Sequence, residues 1–338
     1  MLHSPYSRGW RAAAAAGLDA CRTQCMDGLI SRVLSLSALR QPVEVGHVSA
    51  YGRRAVENLA AQRRVLDRLD WWSAGEWADS DAFVAVGRDH ALDGALLAIP
   101  IALDDPNRLS SARSGCAWLR WCALADGVSG TEVMRLLLDR SAAVLRQAGV
   151  RRLHAILEPT HWIHPYLCDA GYVQVDEVIT LRARIGSRQD DAQSAASARG
   201  LHFRPARRSD LAEVEAVDAS AFEEVWRFSG PVLERALDMA NFFRVVEQDG
   251  AVVAYSFAVC VDDEAHVTRI AVRADQQRRG IGAALLADTL ARLESDWGAR
   301  VVTLNTQASN LTSQRLYRRF GFEEVQPVMR VLCRQLTP

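Results

Sequence analysis

The same series of local sequence patterns occurs twice along this chain of 338 residues, and this repetition limits the folds that the chain can adopt. Each half starts with an Asp-Gly turn between two alternating segments, a typical hairpin signal, and then alternates strands with helices. Each half also ends its last helix with a glycine and an aromatic residue, Gly171-Tyr172 and then Gly321-Phe322, which lie 150 positions apart (321 − 171). Alternating strands and helices build α/β domains, so the sequence predicts two copies of one α/β fold.

The predicted elements fall in the same order in both halves. The first half comprises a hairpin around Asp93-Gly94, a strand at 117–124, a helix at 131–148, a strand at 151–157 and a helix that ends at Gly171. The second half comprises a hairpin around Asp249-Gly250, a strand at 266–272 and a helix that has an apolar stripe from Leu286 to Trp297 and ends at Gly298. A strand at 301–305, a helix from about Asn310 to Phe320 and a strand pair from Phe322 follow. The stretch at 185–200 is poor in large apolar residues and is therefore predicted to be a linker. The predicted domains are 1–184, with a core at about 43–184, and 201–338.

Charge and hydropathy argue against two classes of partner. A net charge of −1 lacks the basic excess that broad nucleic-acid binding requires. The longest dense apolar run, 95–103, is interrupted by Pro100 and is shorter than the ~18 residues that a membrane span needs. The alanine run at 12–16 is short and charged residues follow it, unlike a signal peptide. We therefore expect a cytoplasmic protein that binds neither nucleic acid nor membranes.

The cysteines and histidines do not form a clear metal or disulfide pattern. Seven cysteines without paired spacing indicate free thiols rather than a disulfide framework. His161, His164 and Cys168 could share a helix face, but Pro165 fits best at the first helical position and would leave both histidines outside that helix. We expect no bound metal, because closed zinc sites usually show four well-spaced ligands.

A glycine loop, Gln277-Arg-Arg-Gly-Ile-Gly282, connects a predicted strand to a leucine-rich helix. A kinase-type phosphate loop requires Gly-Lys-Ser/Thr, whereas Ala283-Ala284 stands here. A dinucleotide fold requires a third glycine and an acidic residue after the next strand, which ends instead in Asn305. Two interpretations remain: a plain strand–helix connection, or an anion site made by backbone N–H groups at the positive end of the helix.

The loop and the residues that follow it resemble the GCN5-related N-acetyltransferase (GNAT) family. The family's acetyl-CoA motif, Q/R-x-x-G-x-G/A, falls on Gln277, Gly280 and Gly282, and its later Asn and Tyr fall on Asn310 and Tyr317. The likeness covers about residues 201–335. It implies a mixed, strongly twisted sheet flanked by helices, in which two central parallel strands splay apart. With the duplication, this predicts two tandem GNAT-like α/β domains.

The resemblance also implies the site and its chemistry. Acetyl-CoA is the expected co-substrate. Its pantetheine arm is expected to lie beside Ile270, Ala271 and Val272. Its pyrophosphate is expected to bind the backbone amides of Arg278, Arg279, Gly280, Ile281, Gly282 and Ala283, and Gln277 and Asn310 are also expected to contact the cofactor. Tyr317 is expected to protonate the departing thiolate while an amine attacks the thioester directly. From the residues alone, Asn310 could simply cap its helix, and the Tyr317 ring could belong to the core with its hydroxyl merely satisfied.

The base that deprotonates the amine is not evident. Asn305 stands where family members that acetylate ribosomal-protein N-termini often carry a glutamate. Glu264, Glu223 and Glu224 are therefore rival candidates for the base. The alternative is that each of them is an ordinary surface carboxylate without a catalytic role. Without a base, neutralising a lysine of pKa 10.4 at pH 7 costs about 4.6 kcal/mol, but an α-amine of pKa 7.7–8.0 only about 1.4 kcal/mol. This difference favours an α-amine or another weakly basic acceptor, carried by a peptide or a small molecule.

The first half lacks the acetyl-CoA motif at the corresponding place. Ser129 and Glu132 form a predicted capping box, which would compete with a pyrophosphate for the helix N–H groups. Leu167 stands 150 positions before Tyr317 and has no proton to donate. We therefore expect a degenerate first copy. The expected function is an acetyl-CoA-dependent N-acetyltransferase, and the alternative is a module that senses acyl-CoA or docks a protein without catalysis; the oligomeric state is left open.

Overall fold

The computed structural model describes residues 43–69, 74–88, 91–101, 108–112, 114–185 and 200–336, so most of the predicted linker lies outside the described residues. The first half contains β1 (Glu44–His47), α1 (Arg53–Ala60), β2 (Arg64–Asp67), β3 (Phe83–Arg88), β4 (Ala91–Pro100), β5 (Cys116–Leu124), α2 (Gly130–Gln147), β6 (Arg152–Leu157), α3 (His164–Asp169) and β7 (Val173–Arg184). The second half contains β8 (His202–Pro205), α4 (Leu211–Ala221), α5 (Gly230–Met239), β9 (Phe242–Gln248), β10 (Ala251–Val261), β11 (Glu264–Val272), α6 (Ile281–Trp297), β12 (Val301–Gln307), α7 (Leu311–Arg319) and β13 (Glu323–Gln335).

All of these strands belong to one mixed sheet, in which each half contributes its last strand to the other half. The order is β1-β3-β4-β5-β6-β13-β7-β12-β11-β10-β9-β8, with β2 paired to β5 outside this path. β7 therefore pairs with β12 of the second half, and β13 pairs with β6 of the first half. The predicted strand pair after Phe322 is wrong: one long strand, β13, is present, because β7 occupies the neighbouring position in the sheet.

The two parallel strands at the centre of each half splay apart, as the family resemblance implies. In the second half, β11 and β12 pair only from Glu264–Val267 to Val301–Leu304, although both strands continue beyond that point. A β-bulge at Thr268, where the register against β10 shifts, bends β11 away from β12. In the first half, β5 and β6 pair over three residues only, and the register of β5 against β4 shifts between Leu119 and Trp121.

The helices pack as the sequence patterns predict, with two corrections. Leu286, Leu290 and Leu293 of α6 are buried, and Gly298 ends this helix in the left-handed conformation. Trp297 is not part of the buried stripe, because it lies in the last turn and is 43% exposed. His164 lies inside α3 rather than before it, since that helix starts one residue ahead of Pro165. No helix in the described part of the chain combines the length and apolar character of a membrane span.

Candidate active site

The splay leaves one edge of β11 open between the bulge and the end of the strand. β10 pairs with the other edge as far as Val272, and within the described residues no strand pairs with the open edge beyond Val267. Ile270 and Val272 point toward α6, and Ala271 points toward the opposite core cluster. The residues predicted to lie beside a pantetheine arm, Ile270–Val272, therefore form an edge along which an extended chain can lie.

The glycine loop leads from this edge to the start of α6. Gly280 adopts the left-handed conformation (φ 83°) directly before Ile281, the first helical residue, and Arg278 also has a positive φ of 62°. A non-glycine residue in this conformation is strained by about 1–3 kcal/mol, and such strain often occurs at ligand sites. The first intrahelical bond of the turn runs from the Ala284 amide to the Gly280 carbonyl, so the amides of Ile281, Gly282 and Ala283 point out of the positive end of the helix.

Gln277 and Gly282 shape the loop from two sides. The Gln277 side-chain amide donates to the Val272 carbonyl (3.0 Å), so it ties the loop to the end of β11. A Cβ atom on Gly282 would lie 3.6 Å from Val272 and 3.7 Å from Leu316, which is ordinary contact. Of the two motif glycines, therefore, only Gly280 has a backbone conformation that requires a glycine.

Asn310 and Tyr317 lie on α7, at its start and on its buried face. The Asn310 side chain accepts a hydrogen bond from the Ser313 amide (3.1 Å), so its interpretation as a helix cap is confirmed. Tyr317 is 5% exposed and packs against Phe322 with ring centroids 6.0 Å apart. Burial raises the pKa of Tyr317 to about 12, against the opposing effect of its hydrogen bond with Ser313. The phenol therefore stays protonated at neutral pH, and its ring is part of the buried core, as the alternative interpretation predicted.

Polar side chains line the splay on the face opposite α6 and α7. Thr180, from the first half's β7, donates a hydrogen bond to the side-chain oxygen of Asn305 (2.9 Å). His266 lies 2.9 Å from the Thr303 hydroxyl, and burial lowers the pKa of His266 to about 4. His266 was not among the predicted site residues, although it is an ionisable residue between the apolar Ala265 and Val267.

Two of the three rival bases, Glu224 and Glu264, are paired with residues of the first half. Glu224 accepts hydrogen bonds from Ser114, Gly115, Cys116 and Arg152 of the first half. Glu264 lies at the first residue of β11, is 69% exposed and pairs with Arg182 at 3.7 Å. Within the described residues, no group of three or more His, Cys, Asp or Glu side chains could hold a metal ion.

A buried charged cluster that the sequence reasoning missed supports the bulge of β11. Arg269, directly after Thr268, donates from Nε to the fully buried carboxylate of Asp218 (2.8 Å). Its guanidinium lies between the rings of Phe222 and Phe228, 3.5 Å and 4.1 Å from their centroids. This cluster fixes the connection between α4 and α5 against the bulged strand.

The corresponding groove of the first half is filled by the chain itself. β5 starts at Cys116 and β11 starts at Glu264, so Trp121–Leu124 of β5 corresponds to the last four residues of β11, where its edge is open. In the first half, β2 pairs with Trp121–Leu124 and covers this edge. Arg64 donates to the Ala125 carbonyl (2.6 Å), and the Tyr166 hydroxyl lies so close to Gly130 that a Cβ there would clash with it. The predicted capping box is wrong, because the Ser129 side chain makes no capping hydrogen bond and Glu132 pairs with Arg88.

Comparison with known proteins supports the fold and the chemistry of the second half. Residues 210–322 match the model of the acetyltransferase (GNAT) family. A putative [ribosomal protein bS18]-alanine N-acetyltransferase of Bacillus subtilis is 28% identical over 117 residues, 35% of this chain and 77% of that protein. The [ribosomal protein bS18]-alanine N-acetyltransferase of Escherichia coli K12 is 39% identical over 77 residues, 23% of this chain and about half (51%) of that protein.

Most of the chain resembles a solved tandem structure. A tandem GNAT protein from the clavulanic acid biosynthesis pathway superposes with a TM-score of 0.54 at 12% identity, over 88% of this chain and 99% of that one. At this identity the likeness concerns the fold alone. It confirms two GNAT-like regions, whose strands form a mixed sheet with flanking helices.

Proposed function

We propose that this acyltransferase uses its second half, where residues 210–322 match the GNAT-family model, to move an acetyl group from acetyl-CoA to a primary amine. The thioester supplies an activated acetyl group, which the amine attacks directly; the amide bond forms as the carbon–sulfur bond breaks, and the thiol leaves with a proton. No covalent intermediate with the enzyme is involved.

The observation that carries this proposal is the open edge of β11 beside the left-handed turn at Gly280. An extended pantetheine chain needs backbone hydrogen-bonding groups, and a pyrophosphate needs converging N–H groups at a helix start. Both features lie at consecutive points along the second half. In the first half, β2 and Arg64 occupy the equivalent positions. We therefore propose one acetyl-CoA site per chain and a first half that binds none.

Each residue of the predicted site then has a definite task. Ile270, Ala271 and Val272 would present backbone groups to the pantetheine arm, and the amides from Arg278 to Ala283 would hold the pyrophosphate. Gln277 and Asn310 would act through the loop and the start of α7, which they hold in place. Tyr317 would supply the proton to the departing thiolate, because its phenol remains protonated at neutral pH.

The acceptor is proposed to be an α-amine. The Bacillus subtilis and Escherichia coli relatives are named as N-acetyltransferases of an alanine of a ribosomal protein, and an N-terminal alanine carries an α-amine. Asn305 and Thr180 offer no base at the end of β12, so an amine that is partly neutral at pH 7 suits this site. A peptide N-terminus and a small weakly basic amine both satisfy this requirement.

An amine screen tests the proposal. Purified protein with acetyl-CoA is assayed for thiol release against acceptors grouped by pKa, including an alanine-initiated hexapeptide and the same peptide with a blocked N-terminus and an internal lysine. We expect acceptor-dependent thiol release with the free α-amine and little with the blocked peptide. Tight coenzyme A binding without thiol release from any acceptor would instead support the sensing or docking alternative.

A further inference from the structure

We propose that the first half positions the acceptor side of the active site through Glu224, so that this carboxylate determines the affinity for the amine and not for coenzyme A. The inference rests on the proposed function. The segment concerned, Glu224–Trp226, is a short 3-10 turn between α4 and α5 of the second half. It lies across β5 of the first half, and we call it the crossing turn.

Glu224 holds the crossing turn to the first half through both carboxylate oxygens. One oxygen accepts from the Ser114 hydroxyl (2.8 Å) and the Gly115 amide (3.0 Å). The other accepts from Cys116 Sγ (3.4 Å) and from the Arg152 guanidinium (3.3 Å). Burial raises the pKa of Glu224, but these hydrogen bonds and Arg152 outweigh it and lower the pKa below its ordinary value. The carboxylate is therefore ionised and fully engaged at neutral pH.

The two residues after Glu224 also contact the first half. Trp118 Nε1 donates to the Val225 carbonyl (2.8 Å), and the Trp118 ring lies against Trp226 with centroids 5.2 Å apart. Trp118 is 5% exposed and packs with Val178 of β7. Three successive residues of the crossing turn are thus fixed by side chains that precede the predicted linker.

The opposite side of the crossing turn contacts the splay. The Trp226 carbonyl accepts a hydrogen bond from the Arg269 guanidinium (2.7 Å). Arg269 directly follows the bulge residue Thr268, at the point where β11 leaves β12. Displacement of the crossing turn therefore removes a hydrogen bond from the residue that supports the bulge, on the face where Asn305 and Thr180 lie. The glycine loop follows β11, beyond its last residue, Val272.

Two variants and a matched control separate this role from general stability. Glu224→Gln keeps the shape but turns N–H groups toward Arg152 or Ser114, and Glu224→Ala removes every bond. Glu294→Gln makes the same change on the exposed surface of α6. With the alanine-initiated hexapeptide, we expect both Glu224 variants to raise the acceptor KM about tenfold while the coenzyme A Kd by calorimetry stays within twofold. The control should change neither constant.

Hydrogen exchange provides a readout that does not depend on turnover. We expect faster amide exchange confined to residues 222–229 in the Glu224 variants, with α6 and the glycine loop unchanged. Unchanged exchange at 222–229, or equal losses in acceptor and coenzyme A affinity, would overturn the inference. A wild-type protein that releases no thiol with any acceptor would refute the proposed function, and with it the positioning role, even if exchange at 222–229 responds to Glu224.

Discussion

The hydroxyl of Thr180 donates a hydrogen bond of 2.9 Å to the amide oxygen of Asn305, across 125 positions of sequence and from one half of the protein to the other. The bond exists because β7, the last strand of the first half, pairs with β12 of the second half. The proposed acceptor side of the site therefore contains residues of both halves, whereas the residues proposed to hold coenzyme A all follow Glu264. A truncation that removes the first half removes a strand from the centre of the active sheet.

Replacing Tyr317 by phenylalanine tests the proposed proton donor. The ring keeps its contact with Phe322, so stability should change little, while loss of a general acid should lower the rate of thiol release about 10²-fold. Steady-state kinetics with the best acceptor and calorimetry with coenzyme A measure the two effects separately. Tyr166→Phe, in the first half, is the matched control and should retain activity. A Tyr317→Phe enzyme with normal turnover would show that the phenol is only a core residue.

The two motif glycines should respond differently to alanine. Gly280→Ala forces a Cβ into a left-handed conformation, which costs about 1–2 kcal/mol, and should weaken coenzyme A binding at least tenfold. Gly282→Ala meets only ordinary contacts at 3.6 Å and 3.7 Å and should bind coenzyme A within threefold of the parent. Calorimetric titration of both variants checks this. Equal affinities for the two variants would contradict the assignment of the turn before α6.

Titration of the whole protein with coenzyme A should saturate at one molecule per chain. The first half's groove contains β2, and Arg64 and Tyr166 lie at its helix start, so a second ligand has no edge to pair with. Gly280→Ala should abolish or weaken this single event, whereas Gly127→Ala, at the matching turn of the first half, should leave the coenzyme A affinity unchanged. A second binding event that survives Gly280→Ala would contradict the proposed asymmetry.

The sequence predicted the repeat, the central strands and helices and the glycine loop, because each depends on neighbours within one segment. The predicted first hairpin turn at Asp93-Gly94 is wrong, because both residues lie within β4 and pairing with β3 begins before them, at Ala91. It did not predict the exchange of β7 and β13. The two strands have similar apolar patterns, and their partners lie far away in sequence, so local periodicity gives no preference between the halves. The role of Glu224 and the Arg269–Asp218 pair were missed for the same reason: each is defined by a partner more than 50 positions away. The capping box failed because Glu132 meets Arg88, which belongs to a different strand.

His266 should make the protein less stable in acid. Burial lowers its folded pKa to about 4 from 6.5, so below pH 6.5 the unfolded chain binds more protons and stability falls as the pH falls toward 4. Between pH 7 and pH 5, this shift in the pKa of His266 should lower the free energy of unfolding by about 2 kcal/mol. His266→Gln, which can still bond Thr303, should lose less stability over that interval than the parent in urea unfolding. An equal loss in both proteins would show that His266 is not buried in its neutral form.

The pH–rate profile should follow the ionisation of the acceptor rather than that of an enzyme base. With Glu224 engaged by the first half and Asn305 uncharged, the fraction of neutral amine limits the reaction, because an ammonium ion cannot attack. For an α-amine, kcat/KM should rise tenfold per pH unit and level off near pH 8, and for a lysine side chain the rise should continue toward pH 10. Measurement of kcat/KM from pH 6 to 10 with two peptides that differ only in the free amine distinguishes these cases. A plateau at one pH for both peptides would reveal a base on the protein, and Glu223→Gln and Glu264→Gln would then identify which carboxylate sets it.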